Sequence, residues 1–226
     1  MNAEQVTAKL RSLANPLNIE GMARFEINPR NTLGVSIPET RKLAKQAGKN
    51  HELAQELWKT GVHEARIMAA LVDEPAKVTE RQMDSWAKDF DSWDVCDEVC
   101  MNLFDKTPFA YEKAVEWSSR KEEFVKRAGF ALMACLAIHD KTADDKQFLA
   151  FLSAIKRVAT DDRNFVKKAV NWALRQIGKR NKRLNAAALK TAKEIQALDC
   201  KAAKWIAADA IKELESTTLK RKLNAG

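Results

Sequence analysis

Apolar residues recur every three or four positions along most of the chain, which is the spacing of one face of an α-helix. In the stretch beginning near Asn164, one face carries only apolar side chains, and the opposite face carries Lys168, Trp172, Arg175 and Lys179. The 226 residues include 7 Gly, 5 Pro and 1 Tyr, which leaves little for strands and turns. The sequence therefore predicts an almost entirely helical protein.

Helix start and stop signals in the sequence predict both ends of one helix. Ser36 can cap a helix, Pro38 fits its first turn and Glu39 favours its N-terminus, so we expect a helix that runs to Ala47 and stops at Gly48. The periodicity predicts further helices, joined by short connections that favour antiparallel neighbours. They cover residues 3–13, 19–25, 51–58, 63–71, 79–90, 93–104, 109–117, 122–139, 145–158, 164–179, 184–198 and 200–215.

An internal repeat shows through this pattern. The segment FVKRA at 124–128 returns as FVKKA at 165–169, an offset of 41, and a fainter echo, AAKW at 202–205, follows about 36 residues later. Helix pairs that recur at this period indicate a HEAT-like α-solenoid, with an irregular bundle as the alternative. We expect residues 1–216 to form a single domain and the basic residues 217–226 to form a frayed tail.

Charge is distributed unevenly along the chain. The net charge is +8, but residues 1–113 hold 15 basic and 18 acidic residues, whereas 114–226 hold 24 basic and 13 acidic ones. Residues 163–193 contain ten basic residues and no Asp or Glu. In a solenoid, equivalent helices would line one concave basic face. This asymmetry is typical of a protein that binds nucleic acid or an anionic membrane surface.

Trp172 lies on the polar face of its predicted helix, between cations. Such a surface offers point charges for phosphates and a flat apolar plate for a sugar or base. The alternative is that a neighbouring helix covers Trp172. The other tryptophans, Trp58, Trp86, Trp117 and Trp205, fit apolar faces and are predicted to pack in the core.

Two further positions carry candidate chemistry. Trp93 and Asp97 are four residues apart and share one shoulder of a predicted helix, where Asp97 is either a solvated helix residue or a catalytic carboxylate. Arg127 lies in the second turn of its helix, where a cation gains nothing from the helix dipole. It either pairs with a carboxylate or meets a phosphate.

The sequence offers no support for a cofactor or a metal. Cys96 and Cys100 share a helix face, but no nearby Cys or His pair completes a metal site, so all four cysteines, with Cys135 and Cys200, are expected to be small core residues. There is no P-loop or GxGxxG segment. Without a membrane span or a signal-peptide pattern, we expect a cytoplasmic, nucleoid-associated monomer.

From about residue 25 to residue 212, the chain resembles the AlkD-like alkylpurine DNA glycosylases, a family of HEAT-like-repeat proteins. Five segments carry the resemblance: LGVSIPETRKLAK at 33–45, HEAR at 63–66, SWDVCDEVC at 92–100, EFVKRAGF at 123–130 and NFVKKAVNWALRQIGKRN at 164–181. Phe25 stands where that family would have Tyr, and Cys135 where a basic residue would help to hold DNA.

The resemblance implies a monofunctional glycosylase that hydrolyses the N-glycosidic bond of N3-methyladenine or N7-methylguanine in duplex DNA. It implies that Trp93, Asp97, Arg127 and Trp172 lie against the lesion's sugar and phosphates. The basic residues expected to contact the DNA backbone are Lys126, Lys167, Lys168, Arg175, Lys179, Arg180 and Arg183.

Two other classes of function stay open at this point. One is a non-catalytic binder of bent or branched DNA, for which Asp97 would not matter. The other is a HEAT-type protein interaction scaffold, which a 31-residue stretch without an acid disfavours. The lysines lie mainly on polar faces, so no nucleophilic lysine and no lyase activity are expected.

Overall fold

The chain folds into fourteen α-helices and two short 3₁₀ turns in this computed structural model, which describes residues 1–225 and shows no strand among them. The prediction of an all-helical protein is confirmed. The helices are α1 Ala3–Ser12, α2 Pro16–Arg24, α3 Ile37–Ala47, α4 His51–Lys59, α5 His63–Val72, α6 Glu80–Lys88, α7 Trp93–Asn102, α8 Ala110–Ser118, α9 Glu123–His139, α10 Asp145–Val158, α11 Asn164–Gly178, α12 Lys182–Gln196, α13 Lys201–Leu214 and α14 Thr217–Ala225.

Capping residues explain where several helices begin. Ser36 accepts a hydrogen bond from the Glu39 N–H, and α3 ends at Gly48, as expected. The start of α2 was predicted three residues too late. The predicted helices left residues 14–18 in a connection, but Asn15 caps α2 and Pro16 is its first residue.

The basic segment that follows residue 216 is helical in the structure. Thr217–Ala225 form α14, in which Leu219 is buried and its N–H donates to the Ser216 hydroxyl. A buried leucine and a polar residue ahead of the first turn are enough to order this short basic helix. The remaining residue of the predicted tail, Gly226, lies outside the described residues.

The first compact unit comprises Met1–Thr107. Within it, α5 packs against α3, α4 and α7, and α1 packs against α4 and α5. The indole rings of Trp58 and Trp86 stack at 4.0 Å between centroids, and Phe90 and Phe104 lie around them. The prediction that Trp58 and Trp86 pack in the core is confirmed.

The second compact unit begins at Pro108 and consists of two layers. One layer is formed by α9, α11 and α13 and the other by α8, α10 and α12, and each helix of one layer packs against its sequence neighbour in the other. This arrangement of helix pairs confirms the HEAT-like prediction. As expected, α9 is the buried centre of its layer, with twelve buried residues.

The sequence repeat has a direct structural counterpart in this unit. Phe124 and Phe165 are the second residues of α9 and α11, and their rings lie 5.3 Å apart. Val125 and Val166, one position later, are both buried. The repeated residues therefore occupy equivalent positions in the first turns of α9 and α11.

Gly129 allows α8 and α9 to approach each other closely. A Cβ added at this position would lie 2.5 Å from the Ser118 nitrogen and 2.9 Å from the Ala114 oxygen, both backbone atoms of α8. Backbone atoms cannot move aside as a flexible side chain can. The contact between these two helices therefore requires glycine at position 129.

We predict that Gly129→Ala lowers the free energy of unfolding by about 1–3 kcal/mol, because the added methyl group forces the two helices apart. Urea unfolding measures the change. The matched control is Gly21→Ala in α2, where an added Cβ meets nothing within 4 Å. That control should be neutral or stabilising by about 0.4–1 kcal/mol. Equal stabilities for the two variants would contradict this account of the packing.

Candidate nucleic-acid interface

Glu64, the second residue of α5, organises the loop before α3. Its carboxylate is buried and accepts hydrogen bonds from the backbone N–H groups of Leu33, Gly34 and Val35 at 2.7–3.1 Å. A buried carboxylate is tolerated when several N–H groups compensate for lost hydration. Gly34 has φ +75°, and a Cβ there would lie 2.2 Å from the Asn15 oxygen, so this turn requires glycine. The segments LGVSIP and HEAR therefore form one local structure.

His63, the neighbour of Glu64, connects α5 to the first turn of α7. Its Nε2 lies 2.9 Å from the Asp94 carboxylate, which also accepts a 2.6 Å hydrogen bond from the Ser92 hydroxyl. Burial opposes protonation of His63, but the hydrogen bond to Asp94 and the surrounding carboxylates outweigh burial, so the pKa of His63 is raised. Burial likewise opposes ionisation of Asp94, but its bonds to His63 and Ser92 lower its pKa. An ion pair thus fixes the start of α7.

Trp93 is the first residue of α7, immediately after this anchored turn. Its indole N–H donates to the Phe25 carbonyl at 2.9 Å, and the Phe25 side chain is 72% exposed. Asp97 lies one turn further along α7 and is half-buried. The structure therefore brings an exposed phenylalanine to the tryptophan that precedes the candidate carboxylate.

Arg127 and Trp172 lie in the second unit. Arg127 is 5% exposed and donates through Nη1 to the Phe165 carbonyl in the first turn of α11 at 2.7 Å. Trp172 is half-buried on α11, so neighbouring helices cover it only in part. Next to it, Asn171 is buried and donates to the Ile206 carbonyl of α13.

The predicted DNA-contacting cations differ in their surroundings. Lys168 and Arg183 are exposed, and the nearest carboxylate to Arg183 is 4.0 Å away, at Asp145. Lys126 forms a 3.0 Å ion pair with Asp161. Lys167 lies over the ring of Trp205 at 5.2 Å. Lys168 and Arg183 therefore present the most accessible positive charges of this set.

Arg175 and Lys179, one turn apart on α11, share a carboxylate from α13. Arg175 pairs with Glu213 at 2.6 Å, and Lys179 bonds the same carboxylate. Asp209 lies 3.5 Å from the Arg175 Nε. Burial opposes ionisation of Glu213, but its hydrogen bonds to Lys179 and Arg175 lower its pKa, so it remains charged. The basic face of α11 is therefore partly neutralised by the next helix in its layer.

Arg180 serves the fold. Its Nη1 donates to the carbonyls of Ala137 and Asp140 at 2.9 and 2.7 Å, and its guanidinium lies 3.9 Å from the centroid of the Phe148 ring. These are the otherwise unpaired carbonyls at the end of α9. A guanidinium held in this way has fewer donors left for DNA.

Sequence reasoning missed two exposed aromatic residues. Trp205 was expected in the core with Trp117, but Trp117 is buried whereas Trp205 is 42% exposed. Phe25 is also exposed. The signal for Trp205 was available, because it follows Lys204 and shares its position in the repeat with Lys168.

Three of the four cysteines, Cys96, Cys100 and Cys135, are buried, as expected for core residues, whereas Cys200 is only half-buried. Among residues 1–225, no group of three or more His, Cys, Asp or Glu side chains is arranged to hold a metal ion. No helix in the same range combines the length and the apolar character needed to cross a membrane.

Comparison with known proteins shows the family to which the chain belongs. The family model for the DNA alkylation repair enzyme matches residues 6–214. The chain belongs to the DNA alkylation repair family. The match spans α1 to α13 and includes every candidate site residue, which confirms the resemblance read from the five sequence segments.

Among solved structures, the chain is similar to one described as a new family of proteins related to the HEAT-like repeat DNA glycosylases with affinity for branched DNA structures. The two share 20% identity with a TM-score of 0.79, over 94% of this chain and 95% of that one. This similarity shows the fold. A designed armadillo repeat protein in complex with the peptide (KR)4 is 17% identical, with a TM-score of 0.40, over 82% of this chain and 79% of that one. No curated protein matches the chain.

The His63–Asp94 pair predicts a pH window for stability. Because the folded-state pKa of His63 lies above 6.5, its contribution is complete below pH 6.5 and is lost as pH rises through the raised value. Because the pKa of Asp94 lies below 3.8, its contribution is present above that pH and is lost as pH falls through the lowered value. We expect His63→Gln to destabilise the protein most between pH 3.8 and 6.5.

Urea unfolding of both proteins at pH 5.5 and pH 9 tests this window, since the difference between them isolates the contribution of His63. An NMR titration should also give a pKa above 6.5 for His63. The same loss of stability at both pH values would mean that His63 contributes only by packing.

We predict that Arg180→Ala lowers the free energy of unfolding by about 2 kcal/mol, because two partly buried carbonyls lose a charged donor. Arg183→Ala, three residues away and exposed, is the matched control and should change stability by less than about 0.5 kcal/mol. Thermal unfolding measures both. If Arg180→Ala left stability unchanged and weakened only DNA binding, Arg180 would be a DNA contact.

Proposed function

We propose that this member of the DNA alkylation repair family is a monofunctional glycosylase that removes cationic alkylated purines, such as N3-methyladenine and N7-methylguanine, from duplex DNA. The observation that carries the proposal is the start of α7. There Trp93 and Asp97 lie one turn apart on a helix held by the His63–Asp94 ion pair. Rigid placement of a carboxylate beside an aromatic face is what electrostatic stabilisation of a developing cation requires.

The chemistry fits these two side chains. A purine alkylated at N3 or N7 already carries a positive charge and leaves readily, so the barrier is lowered mainly by stabilising the oxocarbenium-like sugar. A carboxylate near the anomeric carbon provides that stabilisation and can orient the attacking water. The face of Trp93 adds cation–π attraction and excludes solvent. In this mechanism, water supplies the hydroxyl group and the purine leaves as the free base.

Groups of the second unit would bind the DNA. We assign phosphate contact to Arg127, packing against the sugar to Trp172, and backbone contacts to Lys168 and Arg183, which are exposed. Lys126, Lys167, Arg175 and Lys179 also belong to this surface, and like Arg127 they must exchange existing contacts for phosphates before they can add affinity.

A second candidate function is the binding of branched DNA without catalysis. It is favoured by the 0.79 TM-score to a protein whose family has affinity for branched DNA structures. In that case the basic surface is needed and the charge of Asp97 is not. The two functions therefore differ in what Asp97 does.

Asp97→Asn separates them. The substitution keeps size and hydrogen-bonding capacity but removes the charge that faces the incipient oxocarbenium ion, so we expect the rate of 7-methylguanine release to fall by about 10² to 10³. Single-turnover kinetics on duplex DNA measure this step. Binding to undamaged duplex should be unchanged or slightly tighter.

Asp91→Asn is the matched control, since it removes one exposed carboxylate two residues before Trp93. It should release the base at the parental rate. If Asp97→Asn is as active as the parent, the catalytic assignment is wrong. If neither releases any alkylated base, the branched-DNA function is the better one.

Binding to duplex DNA should be largely electrostatic. We predict a steep fall in affinity with salt, and for Lys168→Ala a loss of affinity that is independent of sequence and lowers the salt slope by about 1. Fluorescence anisotropy between 50 and 200 mM salt measures both. A nearly flat salt dependence would instead favour a protein interaction scaffold.

A further inference from the structure

A basic pocket of about 580 Å³ lies in the second unit, and no side chain assigned a role in base release forms part of its walls. It is found where α8 leads into α9 and α10 leads into α11. Its walls are formed by Ser118, Ser119, Lys126, Arg157, Thr160 and Asp161. Lys126 also places it beside the first turns of α9 and α11, the same end of the unit at which Arg127 reaches the Phe165 carbonyl.

Arg157 is held in this pocket by neutral groups. One of its terminal nitrogens, Nη2, donates to the hydroxyls of Ser118 and Ser119 at 3.2 and 3.0 Å. Within the described part of the chain, Arg157 makes no ion pair within 4.0 Å of a carboxylate. Arg120, Arg163 and Arg175 all have such partners. The Arg157 charge is therefore oriented without being neutralised.

The hydrogen bonds of the Ser118 and Ser119 hydroxyls determine which donors remain available to an anion. Ser118 is buried and gives its own proton to the Val115 carbonyl at 2.7 Å, so it can only accept from Arg157. Ser119 accepts from Arg157 as well, and its proton stays available. A guanidinium has five N–H groups, and this pair of contacts uses the nitrogen at one corner. The two N–H groups of Nη1 and the one of Nε remain, and each can donate to an oxygen of an anion.

The acid in the pocket does not cancel this charge. Asp161 is bonded to Arg163 at 2.6 Å and to Lys126 at 3.0 Å. Hydrogen bonds from Arg163 first, and then from Lys126, lower its pKa to about 2 although burial opposes them. The pocket walls themselves carry two cations, Lys126 and Arg157, and one carboxylate, which is already bonded to Lys126 and Arg163. These positive charges attract an anion, and the N–H and O–H groups still unused in the pocket can donate hydrogen bonds to it.

We propose that this pocket binds a phosphate of the DNA backbone, with Arg157 and Ser119 as donors and Lys126 beside them. The proposal rests on the duplex DNA binding proposed above and adds a contact outside the basic face of α11. Phosphodiesters suit the site because Arg157 keeps unused charged N–H groups, and because the pocket is open at the surface.

Arg157→Gln tests the proposal. We expect affinity for an undamaged duplex to fall about tenfold at 100 mM salt and the salt slope to fall by about 0.9, because one phosphate contact is lost. Arg157→Lys should retain the slope but lose part of the affinity, since an ammonium has fewer N–H groups with which to bond both serines and a phosphate. Fluorescence anisotropy gives both quantities, and thermal unfolding checks that each variant is folded.

The matched control is Arg120→Gln. Arg120 lies at the same end of the unit and also carries one positive charge, but it is bonded to Glu122 at 2.8 Å. It should change affinity by less than about twofold. Equal losses for Arg120→Gln and Arg157→Gln would reduce the effect to net charge and overturn the proposal.

Three other outcomes would overturn it in different ways. If Arg157→Gln binds duplex DNA like the parent, the pocket is not a DNA contact, although the proposed function stands. Saturable binding of inorganic phosphate that Arg157→Gln abolishes without changing DNA affinity would mean that the pocket takes free phosphate. If the parent itself binds no duplex DNA, the proposed function and this inference both fail.

Discussion

The buried carboxylate of Glu64 is the interaction on which the first unit depends. It accepts hydrogen bonds from three consecutive backbone N–H groups. The loop that contains them requires glycine at position 34. Because Glu64 follows His63, the same turn of α5 also holds Asp94 and the start of α7. A loop, a buried helix and the helix that carries Trp93 and Asp97 are therefore positioned by two adjacent side chains.

In the second unit, the side chains are positioned by the stacking of repeated helix pairs. Each helix pair buries the apolar face that a single pair would leave exposed, so equivalent residues begin α9 and α11 and their phenylalanine rings meet. This regularity also sets the electrostatics. Acids on α13 lie opposite cations on α11, and Glu213 alone bonds both Arg175 and Lys179. A stretch without any acid in the sequence is thus less basic in three dimensions than its composition suggests.

The sequence allows the fold to be predicted because its signals are local. The cap at Ser36 marks a helix boundary, and the repeat at Phe124 and Phe165 indicates stacked helix pairs. The contacts of the basic residues could not be predicted in this way. Arg180 meets the end of a helix about 40 residues earlier in the chain, and Arg175 meets a carboxylate 38 residues later. Such pairings depend on which helices become neighbours.

Burial of individual aromatic side chains was predictable only where the apolar pattern was unbroken. Trp117 lies on the apolar face of its helix and is buried. Trp205 lies between a lysine and an isoleucine, on a helix so rich in alanine that the sequence does not distinguish an apolar face from a polar one. Helix 217–225 was missed for a related reason, since one buried leucine among basic residues gives almost no periodicity. The family resemblance proposed Trp93, Asp97, Arg127 and Trp172 as site residues, but it could not show how α7 is held.

The central claim is that a fixed carboxylate assists the departure of a base that is already positively charged. It is tested most directly by comparing the release of two bases from the same duplex under single-turnover conditions, the cationic 7-methylguanine and the neutral hypoxanthine. The account predicts that the parent protein releases 7-methylguanine and leaves hypoxanthine in place. Release of hypoxanthine at a comparable rate, or tight binding of both duplexes with no free base from either, would contradict it.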